Sequence, residues 1–201
     1  MLDGAAQRLI RPGLDRLGAA IARRGITADQ VTFLGFALGL ATAGAIAARL
    51  YLLGLALILT SRLCDGLDGA VARATAKSDR GGFLDIVLDF AFYGMIPLGF
   101  VIADPAANAV AGATLLFSFY VNGASFLAYA IMAEKRGLAT DARGEKSLYF
   151  TSGLAEATET ILAFLLFCVL PGYFAVIAYI FAAVTLVTAA ARIFLAMRVF
   201  R

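Results

Sequence analysis

The chain has 201 residues, of which 62% are hydrophobic and 15% charged, with a mean hydropathy of +0.87. An ordinary soluble domain is nearer about one-quarter charged, so the composition excludes a water-soluble globular enzyme. There is no histidine, which removes the usual general base and the usual zinc ligand together.

Residues 1–25 read as an interfacial amphipathic helix. Leu9, Ile10, Leu14, Leu17 and Ile21 recur at helical spacing with arginines between them, whereas a signal peptide needs an unbroken apolar stretch. Thr27-Ala-Asp-Gln30 then forms a capping box with Thr27 as N-cap and Gln30 at N3. Six apolar runs follow, near 29–48, 50–72, 82–103, 107–132, 147–170 and 173–195. Each is long enough for the about 20 residues that cross a bilayer core. Arg49, the basic stretch 73–80, Asp104-Pro105, the polar segment 134–145 and Pro171-Gly172 separate them. Gly81 marks the start of the third span, and Gly35-x-x-x-Gly39 in the first is a helix-packing pattern. Cys64 and Cys168 lie in different spans without metal-type spacing and are assigned to apolar packing.

The basic residues alternate with the connections. Arg8, Arg11, Arg16, Arg23 and Arg24 precede the first span, and Arg73, Lys77 and Arg80 follow the second. Lys135, Arg136, Arg143 and Lys146 follow the fourth, and Arg192, Arg198 and Arg201 close the chain. The other connections carry only Arg49. By the positive-inside rule both termini are cytoplasmic. The net charge of +3 and pI near 9.0 therefore report topology, and a nucleic-acid partner is excluded. The expectation is an all-α polytopic membrane protein, integral to the inner membrane in a bacterium. One domain covers residues 1–201, with six transmembrane helices at 29–195 behind the interfacial helix.

Four aspartates stand in this apolar sequence: Asp65, Asp68, Asp85 and Asp89. A carboxylate within a membrane segment costs about 2.5–3.5 kcal/mol on insertion scales, so four in one neighbourhood need a compensating partner. Asp65 and Asp68 are three apart and Asp85 and Asp89 four apart, so each pair shares one helix face. Two such faces make an all-oxygen pocket suited to Mg²⁺ or Mn²⁺. Two ions would balance the four charges, and two-metal sites commonly serve phosphoryl chemistry. Arg62 and Arg73 could instead pair with Asp65 and Asp68, but two arginines do not neutralise four acids.

Asp65-x-x-Asp68-Gly69-x-x-Ala72-Arg73, seven intervening residues and Gly81-x-x-x-Asp85-x-x-x-Asp89 resemble the signature of the CDP-alcohol phosphotransferases, with every position filled. The resemblance covers essentially the whole chain. It implies transfer of a phosphatidyl group from CDP-diacylglycerol, or a related CDP-alcohol, to the hydroxyl of an acceptor alcohol, with release of CMP. It implies metal on Asp65, Asp68 and Asp85, with Asp89 touching the second ion and taking the hydroxyl proton. Gly69 and Ala72 would let the nucleotide approach the backbone, Arg73 would bind the diphosphate, and Ser78 and Thr32 would contact the nucleotide. Asp29 stands where the family often has asparagine. A homodimer is also implied, and membrane lipids are the surroundings.

For the acceptor, Arg143 and Lys146 stand at the opening of span five. Tyr149, Ser152, Glu156 and Glu159 follow at spacings of three and four, one helical stripe. The cations suit an acceptor phosphate, while the deeper glutamates suit a polyol or a cationic amino alcohol and tip the expectation toward an unphosphorylated acceptor. The competing class is a transporter or proton relay with an intramembrane acid cluster. Such proteins often repeat their interrupted spans. No second aspartate cluster matches the first.

Overall fold

Arg49, the stretch 73–80, Asp104-Pro105 and Pro171-Gly172 each stand at a helix end. The computed structural model describes residues 3–137 and 155–200, and the regular structure among them is helical. The helices are α1 (Asp3–Ala22), α2 (Ala28–Ala47), α3 (Tyr51–Ala74), α4 (Asp79–Ala103), α5 (Pro105–Lys135), α6 (Ala157–Val169) and α7 (Phe174–Val199). A 3₁₀ turn at Pro171–Tyr173 joins the last two. The capping box forms as expected: the Gln30 amide donates to Thr27 Oγ1 at 3.3 Å and the Thr27 amide to Gln30 Oε1 at 3.0 Å. Asp104 caps α5 by accepting from the Ala107 amide at 3.1 Å, with Pro105 opening the helix.

Arg49 explains its own exception to the charge pattern. It adopts a left-handed φ of 63°, and its Nε and Nη2 donate to the Ala103 carbonyl at 3.1 and 2.9 Å. A cation thus satisfies an orphan carbonyl at the end of α4.

Among the described residues four stretches, Ala28–Ala47, Asp79–Ala103, Pro105–Lys135 and Pro171–Val199, are long and apolar enough to cross a membrane. The 24-residue α3 has the length but carries Arg62, Asp65, Asp68 and Arg73, and α6 has 13 described residues, about 20 Å at the helical rise. Next, α4 starts at Asp79, ahead of Gly81, because the Ser78 hydroxyl caps it by accepting from the Gly81 amide at 3.0 Å.

The start of α6 also differs from the expectation. α6 starts at Ala157, and Glu156 is its extended N-cap at φ −114° and ψ −173°. The helix expected to run through Glu156 therefore begins only after it. Arg143, Lys146, Tyr149 and Ser152 lie outside the described residues.

α2 packs on α3 and α4, α4 on α5, α5 on α7, α3 on α6, and α1 on α3. Lipid tails are as apolar as leucine, so these helices gain by close packing rather than by leaving water. Gly35 approaches Cys64 and accepts a buried bond from Ser61 Oγ at 2.8 Å, while Gly39 seats the Phe92 ring. Aromatic rings fill the centre: Phe100 stacks on Phe174 at 4.8 Å, and Phe167 meets Phe174 edge-on at 4.9 Å. Both cysteines are free and buried in this packing.

Candidate active site

α3 runs toward the end of the bundle that carries the basic connections, and α4 returns from it, so the two aspartate pairs face one cleft. Its lining includes Thr32, Arg62, Asp65, Asp68, Asp85 and Asp89, and its volume is about 10 Å³. That is room for about one water or a bare ion. The four acids differ in setting. Asp68 is 5% exposed, and its Oδ2 is buried with no hydrogen-bond partner. Asp65 and Asp89 are half-buried and Asp85 is exposed.

Arg62 enters the cluster and Arg73 does not. Arg62 Nη1 donates to Asp89 Oδ1 at 2.5 Å and lies 3.3 Å from Asp65 Oδ1. Arg73 turns instead to Asp15 on α1, giving Nε and Nη2 to its Oδ1 at 3.1 and 2.7 Å. Asp15 lies outside the signature, and its signal in the sequence is an acid flanked by the arginines of α1, four residues after Arg11, which lies 3.6 Å from it.

The nucleotide-side residues surround the mouth. A Cβ on Gly69 would meet only Arg73 Nη1, at 3.3 Å, so the backbone there is approachable. Ala72 is half-buried one turn on. Thr32 lines the cleft while its hydroxyl donates to the Ala28 carbonyl at 3.0 Å. Ser78 is engaged as the α4 cap. Asp29 lies 3.5 Å from Arg80 Nη2, tying the start of α2 to the start of α4.

Glu156 and Glu159 serve the start of α6, where the Glu156 amide donates to Glu159 Oε2 at 3.3 Å. A second cavity, about 210 Å³, lies between α5 and α7 beside buried Arg192. The guanidinium there donates from Nη1 to the Asn122 carbonyl, Asn122 Oδ1 and Ser125 Oγ at 2.8–3.0 Å.

The acid cleft fits a hard divalent cation. Its donors are all oxygen, and a buried acceptor without a partner, as at Asp68 Oδ2, costs about 1–3 kcal/mol that a cation would offset. Among the described residues the carboxylates do not close into a finished ligand shell, because Arg62 stands between Asp65 and Asp89.

Residues 25–191 match the CDP-alcohol phosphatidyltransferase family. The chain is 45% identical to the inner membrane protein YnjF of Escherichia coli K12 over 193 residues, 96% of this chain and 94% of that one. It is 32% identical to the archaetidylinositol phosphate synthase of Pyrococcus horikoshii over 114 residues, 56% of this chain and 61% of the other. The phosphatidylinositol phosphate synthase of Mycobacterium tuberculosis, solved with CDP-DAG bound, superposes with a TM-score of 0.69. That comparison has 21% identity and covers 90% of this chain and 91% of that chain. The same enzyme with manganese and citrate gives 0.72 at 21% identity, covering 90% and 88%. At that identity the likeness concerns the fold. By the family match, with the four signature aspartates lining one cleft, this integral membrane protein belongs to the CDP-alcohol phosphatidyltransferase family and performs phosphatidyl transfer in phospholipid synthesis.

Proposed function

We propose that the cleft between α3 and α4 is where an acceptor hydroxyl attacks the β-phosphorus of CDP-diacylglycerol or a related CDP-alcohol. A new phosphodiester bond forms, the bridging bond to the nucleotide breaks, and CMP leaves with its electron pair. The observation that carries this reading is the convergence of Asp65, Asp68, Asp85 and Asp89 on one cleft, with Asp68 Oδ2 buried and unpartnered. Asp65, Asp68 and Asp85 would hold Mg²⁺ or Mn²⁺, with Asp89 reaching the second of two ions. When bound, such ions neutralise the diphosphate and the charge developing on CMP. The manganese and CDP-DAG in the tuberculosis enzyme support both assignments.

The chain's own groups supply the rest. Asp89 takes the proton of the attacking hydroxyl, a role that falls to a carboxylate in a chain without histidine. Arg73, whose planar fork now rests on Asp15, binds the diphosphate. Gly69 and Ala72 leave space for the cytidine, and Thr32 and Ser78 border it.

The acceptor is a phosphorylated polyol in this reading. Glu156 and Glu159 are engaged in starting α6, which weakens the case for an unphosphorylated one. Two of the similar proteins are named as inositol phosphate lipid synthases, which favours a phosphate. Arg143 and Lys146 would meet that phosphate, and Ser152, Glu156 and Glu159 the polyol side. Six spans behind an interfacial α1, one domain over residues 1–201, cytoplasmic termini and mouth, and a homodimer complete the proposal.

The test is CMP release from CDP-diacylglycerol by the purified protein. Inositol phosphate and glycerol phosphate are compared with inositol, glycerol, serine and ethanolamine. Release with the phosphorylated pair is expected. Release with the others alone reverses the acceptor assignment, and no release with any acceptor in Mg²⁺ or Mn²⁺ overturns the site.

A further inference from the structure

At the floor of the cleft the signature acids are joined by a residue outside the signature. Arg62 is one helical turn before Asp65 on α3, and its side chain is 16% exposed. Its Nη1 bridges carboxylates from two helices, Asp89 Oδ1 at 2.5 Å and Asp65 Oδ1 at 3.3 Å. The guanidinium carbon lies 3.7 Å from the centroid of the Phe92 ring, which is fully buried and one turn beyond Asp89 on α4. Gly39 makes the seat for that ring, since a Cβ there would come within 2.8 Å of it. Arg62 Nε is buried without an acceptor. A side chain chosen for packing alone would not leave a donor unmet. Its fork is aimed at the acids at that cost.

We infer that Arg62 is a positioning residue for phosphatidyl transfer: it fixes the carboxylate of Asp89 and acts as a resident cation that competes with metal for Asp65 and Asp89. This rests on the reading of the cleft as a metal site. Four carboxylates and one guanidinium leave three formal negative charges rather than four. With two divalent ions added, the site carries one net positive charge, which suits an anionic diphosphate. Without Arg62 the loaded site would be neutral and would hold its ions harder. With one oxygen of Asp89 engaged by Nη1, the other is left in a fixed direction for the hydroxyl proton.

Charge and fork separate in the test. Mn²⁺ binding to the purified, substrate-free protein is followed by electron paramagnetic resonance, beside melting temperature in chelator and CMP release. Arg62→Met should tighten Mn²⁺ binding about tenfold, the scale of one nearby charge in a partly buried site. It should also raise the KM for CDP-diacylglycerol and lower kcat. Arg62→Lys keeps the charge and loses the fork, so Mn²⁺ affinity should stay within about twofold while kcat falls about ten- to a hundredfold, the worth of a hydrogen bond to a charged group. A purely structural arginine would instead lower melting temperature and loosen Mn²⁺ in both variants, and that result overturns the inference. So does a lysine variant with wild-type kcat, which also decides the matter if Arg62→Met does not fold. Wild-type protein that binds no Mn²⁺ removes the metal reading itself, a different failure from wild-type binding that Arg62→Met leaves unchanged.

Discussion

Asp68 and Asp89 are both signature acids, yet their surroundings set them apart. Asp68 is buried, and its Oδ2 has no hydrogen-bond partner among the described residues, which supports its proposed role as a metal ligand. Asp89 is half-buried and held by the Arg62 guanidinium, and its role as base is the one proposed above. Asp65→Asn, Asp68→Asn and Asp85→Asn should each lose Mn²⁺ binding together with CMP release. Asp89→Asn should lower turnover by about 10²–10⁴ while CDP-diacylglycerol still binds, since that range is the usual contribution of general base catalysis. Near-normal turnover in Asp89→Asn would remove the base assignment. Exhaustive chelation should abolish CMP release, and added Mg²⁺ or Mn²⁺ should restore it; full activity in chelator contradicts the metal reading. These acids were legible in the sequence because charges three and four apart in an apolar run can only share a helix face. The partners of the arginines were not, because pairing across helices depends on rotation about each axis. Arg73 and Asp15 are 58 residues apart and meet only once α1 lies on α3.

At the level of helices, α1 is held to α3 by close backbone approach. A Cβ on Gly18 would come within 2.6 Å of Ala70 Cβ and 2.8 Å of the Ala70 backbone carbon, and one on Gly66 of α3 would come within 2.9 Å of Leu14 Cδ1. Backbone cannot yield as a flexible side chain can. Gly18→Val should therefore push α1 away and destabilise the protein by about 1–3 kcal/mol, the usual cost of overpacking. Lowered thermal stability, with faster proteolysis inside residues 10–22, is the measurement; an unchanged melting curve would show that α1 is not packed here. Amphipathic spacing announced α1 but not the face it buries, since Gly18 and Gly66 carry no hydrophobic signal. The start of α6 is hidden in the sequence for a related reason. An apolar run and a helical period look alike on paper, whereas an extended Glu156 with Glu159 reaching back to its amide ends the helix where it stands.

Across the whole molecule, charge and depth give the cleft a direction. Asp89 lies ten residues into α4, about 15 Å at the helical rise, from the end where Arg73, Lys77 and Arg80 gather. The opposite end of α4 carries Asp104 and the Arg49 cap. In the proposed orientation, with the basic end cytoplasmic, a lipid diphosphate would enter the cleft from the membrane while a water-soluble acceptor arrives from the cytosol. Both native cysteines are buried, so the wild-type chain offers a quiet background for an impermeant thiol reagent. Lys77→Cys, in the exposed connection between α3 and α4, should be labelled in inside-out vesicles and protected in right-side-out ones. Asp104→Cys, at the far turn between α4 and α5, should show the reverse. Because it removes a cap, its loss of about 0.5–2 kcal/mol has to be checked by melting before labelling is read. If the two variants label on the same side, α4 does not cross the bilayer. If the sides are exchanged, the cleft opens away from the cytosol, and the route for CDP-diacylglycerol and its acceptor must be redrawn from the other face.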